Sequence, residues 1–194
     1  MPESSRLPAD DEHPPSPVDG GIDLLLSIDS EGWGQPDERE ALAARAVDAA
    51  LREANLQMAD GDCELSIVLT DSAAVHELNR QWRDKDRPTN VLSFPAFDLK
   101  PGDALPSMLG DIVIAREVVA AEADEAGKTF GDHLTHLIVH GFLHLAGWDH
   151  ETDDEADAME ALEIAILVRL EIADPYGAVS TSGDPRGDDY SERI

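Results

Sequence analysis

Hydrophobic and polar residues alternate along residues 21–176 with the two periods that are typical of strands and helices. Four short runs, apolar throughout or at every second position, predict strands over 22–28, 63–69, 91–94 and 108–114. Five longer stretches with apolar residues at helical spacing predict helices over 36–54, 72–82, 116–126, 132–146 and 153–172. Because no internal repeat occurs, we predict a single small α+β domain, in which about five helices pack on one mixed sheet of about four strands. The pattern does not give the strand order.

The two ends of the chain differ from this domain in composition. Residues 1–20 are rich in Pro, Asp, Glu and Ser, and residues 177–194 have the same character. Both segments contain too little apolar surface to bury, so we predict disordered tails around a domain at 21–176. The sequence contains no run of 18 apolar residues, and its start lacks the basic and apolar regions of a signal peptide. We therefore predict a cytoplasmic protein with no membrane partner.

The charge of the chain limits the partners that it can have. Its 194 residues include 42 acidic and 14 basic side chains, which give a formal net charge of −28 at pH 7. Such a field repels nucleic-acid backbones and anionic lipids at long range, so any contact with RNA or DNA must be local. The single cysteine, Cys63, excludes an intrachain disulfide framework and a zinc or iron–sulfur site made of several cysteines.

Five of the seven histidines lie between residues 133 and 150. His140 and His144 are four residues apart, so on a helix they share one face at a spacing that suits a common metal ion. Gly147 can end that helix in a left-handed cap, and the reversal would bring His150 back toward the same metal. Three histidines and one open position are the ligand set of a catalytic zinc site. We therefore predict a three-histidine metal site at a helix end.

The spacing H-x-x-x-H-x-x-G-x-x-H also matches the core of the metzincin protease signature. Those proteases carry a glutamate directly after the first histidine as the general base, whereas this chain has Gly141 at that position. Peptide hydrolysis without a proton acceptor is disfavoured. The pattern therefore indicates a metal hydrolase of another kind.

Four polar residues near the cluster each admit a structural and a functional interpretation. His133 and His136 extend the helical face of His140, and we expect packing or capping from them rather than catalysis. Asp149 is either a carboxylate that orients a metal ligand or a solvated loop residue. Asp111 lies within an apolar run, so we expect a buried carboxylate with a partner, which is either a histidine of the site or a structural group.

A second candidate site is the polar loop at residues 80–90. It contains four basic and two acidic residues, a local net charge of +2 within an acidic protein. Arg83, Lys85 and Arg87 are candidates for binding phosphates, and Trp82 is a candidate for stacking on a base. Taken alone, the loop is more typical of a solvated turn that is held by its own salt bridges.

Three segments together closely resemble the signatures of the YbeY endoribonuclease family. They are R-D-K-D-R-P-T-N-V-L-S-F-P (83–95), M-L-G-D-I-V-I-A (108–115) and H-G-F-L-H-L-A-G-W-D-H (140–150). Their order, their spacing and the helices between them fit the family over residues 22–176. Trp148 stands where the family commonly has tyrosine, and the two tails depart from the compact pattern of the family.

The resemblance implies a bacterial, metal-dependent endoribonuclease that cuts single-stranded RNA and has a four-stranded α+β fold. Its implied role is maturation of the 16S rRNA 3′ end and ribosome quality control. The implied partners are single-stranded rRNA, the small ribosomal subunit and assembly factors, with no DNA partner. Matched by position, His140, His144 and His150 are the metal ligands, and Arg83 is the catalytically important arginine. The implied cofactor is one zinc ion per chain, with nickel as the alternative.

Two other functions remain open at this stage. The first is that of a ribosome-assembly factor whose zinc is structural. The second is that of a metal hydrolase that acts on another substrate. Peptides are the least favoured of those substrates, because Gly141 replaces the general base. The substitution His144→Ala separates a structural from a catalytic metal: loss of a structural metal unfolds the protein, whereas loss of a catalytic one leaves it folded and inactive.

Overall fold

The computed structural model describes residues 21–177. The predicted tails, residues 1–20 and 177–194, lie outside that range except for Gly177. Within it, the elements follow in the order β1 (Ile22–Ile28), α1 (Pro36–Glu53), β2 (Cys63–Thr70), α2 (Ser72–Arg83), β3 (Val91–Pro95), β4 (Met108–Ala115), α3 (Arg116–Ala126), α4 (Phe130–Leu145) and α5 (Asp153–Arg169). They confirm the predicted α+β class. No helix of the described range is both long and apolar enough to cross a membrane.

The four strands form one mixed sheet in the order β1-β2-β4-β3. β1 and β4 each pair with β2 in parallel, and β3 pairs with β4 in the antiparallel direction, with Ser93 opposite Ile112. The mixed sheet confirms the prediction, and the order adds what the sequence pattern could not supply. β3 is an edge strand, and it follows directly after the predicted basic loop.

The main core lies on one face of this sheet. Leu65 and Ile67 of β2 and Ile112 of β4 are fully buried on this face, as the alternating pattern predicts. Helix α1 packs against β1, helix α4 packs against β3 and β4, and α5 packs against both helices. α4 is buried on every side from His133 to Leu145. A helix of this kind belongs in the centre of a domain, so its histidines lie in the interior.

On the opposite face of the sheet, α2 covers part of β3 and β4. Val75 of α2 packs with Leu92 of β3 and Val113 of β4 in a smaller core. Asp111 lies two residues before Val113, and therefore on the same face, but its side chain is exposed. The prediction of a buried Asp111 that needs a partner was wrong, because α2 covers the later residues of β4 and leaves Asp111 open to solvent.

Local capping sets the ends of the helices. Asp71 caps α2, as predicted. α4 begins two residues earlier than predicted, because the Thr129 side chain accepts a hydrogen bond from the Asp132 backbone N–H at 3.0 Å. α5 ends at Arg169 rather than near residue 172, and Glu171 beyond it has a left-handed φ of +62°.

Candidate metal centre

A glycine reversal at the end of α4 brings the three predicted ligands together. Gly147 has a φ of +96°, and its N–H donates to the His144 carbonyl at 3.1 Å. The Trp148 N–H donates to the Leu143 carbonyl at 3.0 Å, which completes a Schellman motif. A Cβ at position 147 would lie 2.6 Å from the Leu99 carbonyl, so only glycine fits there. The predicted reversal is confirmed.

The reversal places His150 beside the two histidines of the helix. Each of His140, His144 and His150 offers one ligand atom, and these atoms all lie within 4.8 Å of one another. The His140 and His144 Nε2 atoms are 3.1 Å apart. His140 and His144 are buried, whereas His150 is partly exposed, so solvent reaches the cluster from the side of His150.

Hydrogen bonds fix the tautomers of the two helical histidines. The His144 Nδ1 donates to the Trp148 carbonyl at 3.1 Å, and the His140 Nδ1 donates to the Glu163 carboxylate at 2.7 Å. A neutral imidazole with its proton on Nδ1 carries a lone pair on Nε2, so this tautomer makes both Nε2 atoms available to a metal ion. Tetrahedral zinc, with bonds of about 2.0–2.1 Å, places two nitrogens about 3.3 Å apart. The spacing of the His140 and His144 Nε2 atoms therefore fits such an ion.

The electrostatics of the site favour a neutral His144 and an ionised Glu163. Burial lowers the pKa of His144 to about 2, and the neighbouring His140 and His150 act in the same direction. Burial also lowers the pKa of His136. Burial alone would raise the pKa of Glu163, but the attraction of His140 and the hydrogen bonds from both imidazoles hold that pKa below its usual range. Neutral imidazoles carry the lone pairs that a metal ion requires.

Glu163 was not identified from the sequence. It lies on α5, has no solvent exposure, and accepts hydrogen bonds from His140 at 2.7 Å and from His136 at 2.8 Å. One signal was present, because Glu163 falls on the apolar face of α5 with Met159 and Ile166. A carboxylate on such a face needs buried partners.

The two further histidines of α4 lie outside the three-histidine cluster. His133 Nε2 is 2.7 Å from the Glu122 carboxylate, which also accepts hydrogen bonds from the Asn90 amide. This contact joins α3, α4 and the start of β3, which is consistent with the expected packing role. His136 instead donates to Glu163, beside the site.

Local contacts explain the residue types at two positions next to the cluster, Asp149 and Gly141. The Asp149 carboxylate accepts a hydrogen bond from the His150 backbone N–H at 2.8 Å, so it supports the turn that carries that ligand. Gly141 faces the sheet, and a Cβ there would lie 3.1 Å from an Ile112 methyl carbon and 3.2 Å from the Ser93 hydroxyl. A glutamate has no space at position 141, so the absence of the protease base follows from packing.

The basic loop lies on the other side of edge strand β3. α2 ends at Arg83, and Asp84 follows with a left-handed φ of +56°. The Asn79 side chain donates to the Arg87 carbonyl at 2.7 Å and so holds the loop against α2. Arg83 and Lys85 are partly buried and Arg87 is exposed. The structure therefore groups the predicted site residues as a histidine cluster and a separate basic loop.

The edge strand connects these two groups. The Ser93 hydroxyl donates to the Gly141 carbonyl of the histidine helix at 3.4 Å. The next residue, Phe94, contacts Trp82 at the end of α2, with the ring centroids 6.3 Å apart in an edge-to-face arrangement. Trp82 keeps 58% of its surface exposed, so an aromatic face lies next to the basic loop.

Comparisons with known proteins found similar chains. A solution structure of a Thermotoga maritima protein aligns with a TM-score of 0.49 and 24% identity, over 82% of this chain and 99% of that chain. Residues 29–171 match the family model described as Endoribonuclease YbeY. Endoribonuclease YbeY of Agrobacterium fabrum is 50% identical over 159 residues, which are 80% of this chain and 95% of the relative. Endoribonuclease YbeY of Sinorhizobium fredii is 48% identical over 160 residues, 80% of this chain and 92% of the relative. On the family match and these identities, the chain belongs to the YbeY endoribonuclease family.

Proposed function

We propose that this protein is a metal-dependent endoribonuclease that hydrolyses phosphodiester bonds of single-stranded RNA at the three-histidine cluster. The observation that carries the proposal is the pair of Nε2 atoms of His140 and His144, which lie 3.1 Å apart and beside the partly exposed His150. Membership of the YbeY family supports the ribonuclease activity, because the relatives are named endoribonucleases.

The cluster fits one zinc ion, with nickel as the alternative, because both metals accept imidazole nitrogens. When bound, zinc supplies Lewis acidity and lowers the pKa of a water in its open position to about 7. His140 and His144 keep Nε2 unprotonated because their Nδ1 protons are held by Glu163 and by the Trp148 carbonyl. The exposed side of His150 is where RNA would approach.

The basic loop is the proposed RNA-binding surface. Arg83, Lys85 and Arg87 would bind phosphates, and Arg83 would also stabilise the charge that develops on the phosphoryl oxygens. Trp82, exposed at 58%, would stack on an unpaired base, which favours single-stranded over duplex RNA. A local binding surface agrees with the net charge of −28, because the rest of the protein repels RNA.

We propose that the substrate is the precursor of the 16S rRNA 3′ end, and that the protein acts in its maturation and in ribosome quality control in the cytoplasm. The resemblance to the family supports this role. Because the acidic surface weakens binding to naked RNA, we propose that contacts with proteins of the small ribosomal subunit and assembly factors bring the enzyme to its substrate.

The test is cleavage of a labelled single-stranded RNA from the 16S rRNA 3′ region, with a duplex and a DNA of the same sequence as substrate controls. The zinc-loaded protein is compared with the chelated protein and with His144→Ala, each checked for folding by circular dichroism. Arg83→Gln is compared with Arg52→Gln, a matched control whose side chain is 67% exposed on α1.

We expect zinc-dependent cutting of the single strand alone, and a folded His144→Ala that neither binds zinc nor cuts. Arg83→Gln should cut about 10²-fold more slowly, because it removes charge stabilisation in the transition state. Arg52→Gln should keep the wild-type rate. Cutting that persists in chelator contradicts the metal-dependent mechanism. A wild-type protein that never cuts, together with an unfolded His144→Ala, favours the assembly factor with structural zinc.

The ribosomal part of the proposal needs a separate measurement. Cleavage of the 16S precursor is compared as naked RNA and within small-subunit particles. We expect faster cleavage within the particles. Equal cleavage rates and equal affinities for both forms would contradict recruitment through ribosomal proteins.

A further inference from the structure

The most deeply buried carboxylate of the site is Glu163, which belongs to α5 and not to the histidine motif. Resting on the metal site proposed above, we propose that Glu163 is a positioning residue, which fixes the tautomer and the ring orientation of His140. We propose further that His136 and Tyr176 hold Glu163 in place for this purpose.

The two oxygens of Glu163 have separate partners. Oε1 accepts a hydrogen bond from the His140 Nδ1 at 2.7 Å. Oε2 accepts one from the His136 Nε2 at 2.8 Å and a short one from the Tyr176 hydroxyl. His136 and Tyr176 therefore anchor one oxygen, and the other oxygen points at the metal ligand. A carboxylate on the far nitrogen of a ligating histidine orients the ring and makes it a better ligand.

A second histidine–glutamate pair, between His133 of α4 and Glu122 of α3, differs from this arrangement. Glu122 bonds His133 at 2.7 Å, but its side chain is 36% exposed and His133 lies outside the metal cluster. The Glu163 side chain is 1% exposed. The carboxylate that is fully removed from water is thus Glu163, which is hydrogen-bonded to the predicted metal ligand His140. The charge of a carboxylate acts most strongly on a cation in such a position.

The segment after α5 completes this arrangement. Lys128 donates a hydrogen bond to the Pro175 carbonyl at 3.0 Å, which holds the segment against the end of α3. The Tyr176 ring meets the His136 ring edge to face, with centroids 5.6 Å apart. Tyr176 therefore both covers His136 and donates to Glu163.

The test measures zinc affinity by competition with a chromophoric chelator, and ligand geometry by the visible absorption of the cobalt(II)-loaded protein. Glu163→Gln keeps the size of the side chain and removes its charge. Asp157→Asn is the matched control, because it removes an exposed charge from the same helix. Tyr176→Phe keeps the ring and removes the hydroxyl.

We expect zinc affinity to fall about 10–100-fold in Glu163→Gln, together with a changed cobalt spectrum. Asp157→Asn should match the wild type, and Tyr176→Phe should lie between the two. A folded Glu163→Gln with wild-type zinc affinity and spectrum would overturn the proposal, even if its thermal stability falls, because a purely structural role predicts that result.

Two further outcomes are also decisive. If Glu163→Gln does not fold, Tyr176→Phe decides: weaker zinc binding supports the proposal and wild-type binding overturns it. If the wild-type protein binds neither zinc nor cobalt, the metal site itself is wrong and the positioning role falls with it. The failure of the metal site is thereby distinguished from the failure of the positioning role.

Discussion

The glycine reversal at the end of α4 directs the chain toward His150, and Gly147→Ala tests its importance. The substitution adds one methyl group at a φ of +96° and directs it at the Leu99 carbonyl. We expect a large loss of stability and a weaker metal site, because His150 and the Trp148 carbonyl both depend on the path of the chain through Gly147.

The magnitude follows from two costs. A residue with a Cβ pays about 1–2 kcal/mol in the left-handed region. The added Cβ would lie 2.6 Å from both the carbon and the oxygen of the Leu99 carbonyl, so one backbone must move. Forced repacking of this kind costs about 1–3 kcal/mol. Together these predict a loss of roughly 2–5 kcal/mol, or a fall in Tm of roughly 5–15 °C for a protein of this size.

The assay is urea or thermal unfolding of the metal-free protein, because bound metal would add its own stabilisation. Gly102→Ala is the matched control: Gly102 has a φ of +91°, and a Cβ there meets nothing within 4 Å. Gly102→Ala has the same conformational cost and the same entropic effect on the unfolded chain as Gly147→Ala, but it has no steric clash with a neighbouring backbone. If Gly147→Ala loses no more stability than Gly102→Ala, the close approach to Leu99 does not constrain the site.

Three further predictions follow from burial and charge. Burial raises the pKa of the Cys63 thiol to about 11, so at pH 8 a thiol reagent should react only after denaturation, and prompt reaction of the native protein would contradict this. Burial lowers the pKa values of His136 and His144, so below about pH 6.5 the unfolded chain binds protons that the folded metal-free chain does not. The free energy of unfolding should therefore decrease as the pH is lowered, by up to about 1.4 kcal/mol per pH unit for each histidine. Equal urea midpoints at pH 7.5 and 5.5 would refute this. If Arg83 and Arg87 each bind one phosphate, replacing either by Gln should make the salt dependence of RNA binding shallower by about 0.7 in the log–log slope, and an unchanged slope argues against that contact.

The elements of the fold were predictable because their signals are local. Alternation of apolar residues gave the strands, and the capping residue Asp71 gave the start of α2. The start of α4 was missed by two residues because its cap, Thr129, precedes the apolar periodicity. The exposure of Asp111 was not predictable, because it depends on how far α2 extends over β4, which no local pattern records.

For the candidate site as well, residues close together in the sequence were predictable, whereas a residue from a distant helix was not. The three histidines and Gly147 lie within eleven consecutive residues, 140–150, so their spacing predicted the cluster that the structure shows. Glu163 comes from another helix, and only packing of α5 against α4 brings its carboxylate to His140. Its place on an apolar helical face marked it as unusual, but nothing in the sequence identified its partner.

Glu163 and Tyr176 follow the three histidines in the sequence, and this order has a consequence for synthesis. The three histidines leave the ribosome before α5 and the segment that carries Tyr176. Until those residues follow, a nascent chain has the ligand motif but not the buried carboxylate behind it. Because α4 is buried on all sides, the motif also cannot settle before its neighbours arrive. A complete centre therefore forms only after the segment that carries Tyr176 has been synthesised and α5 has packed against α4.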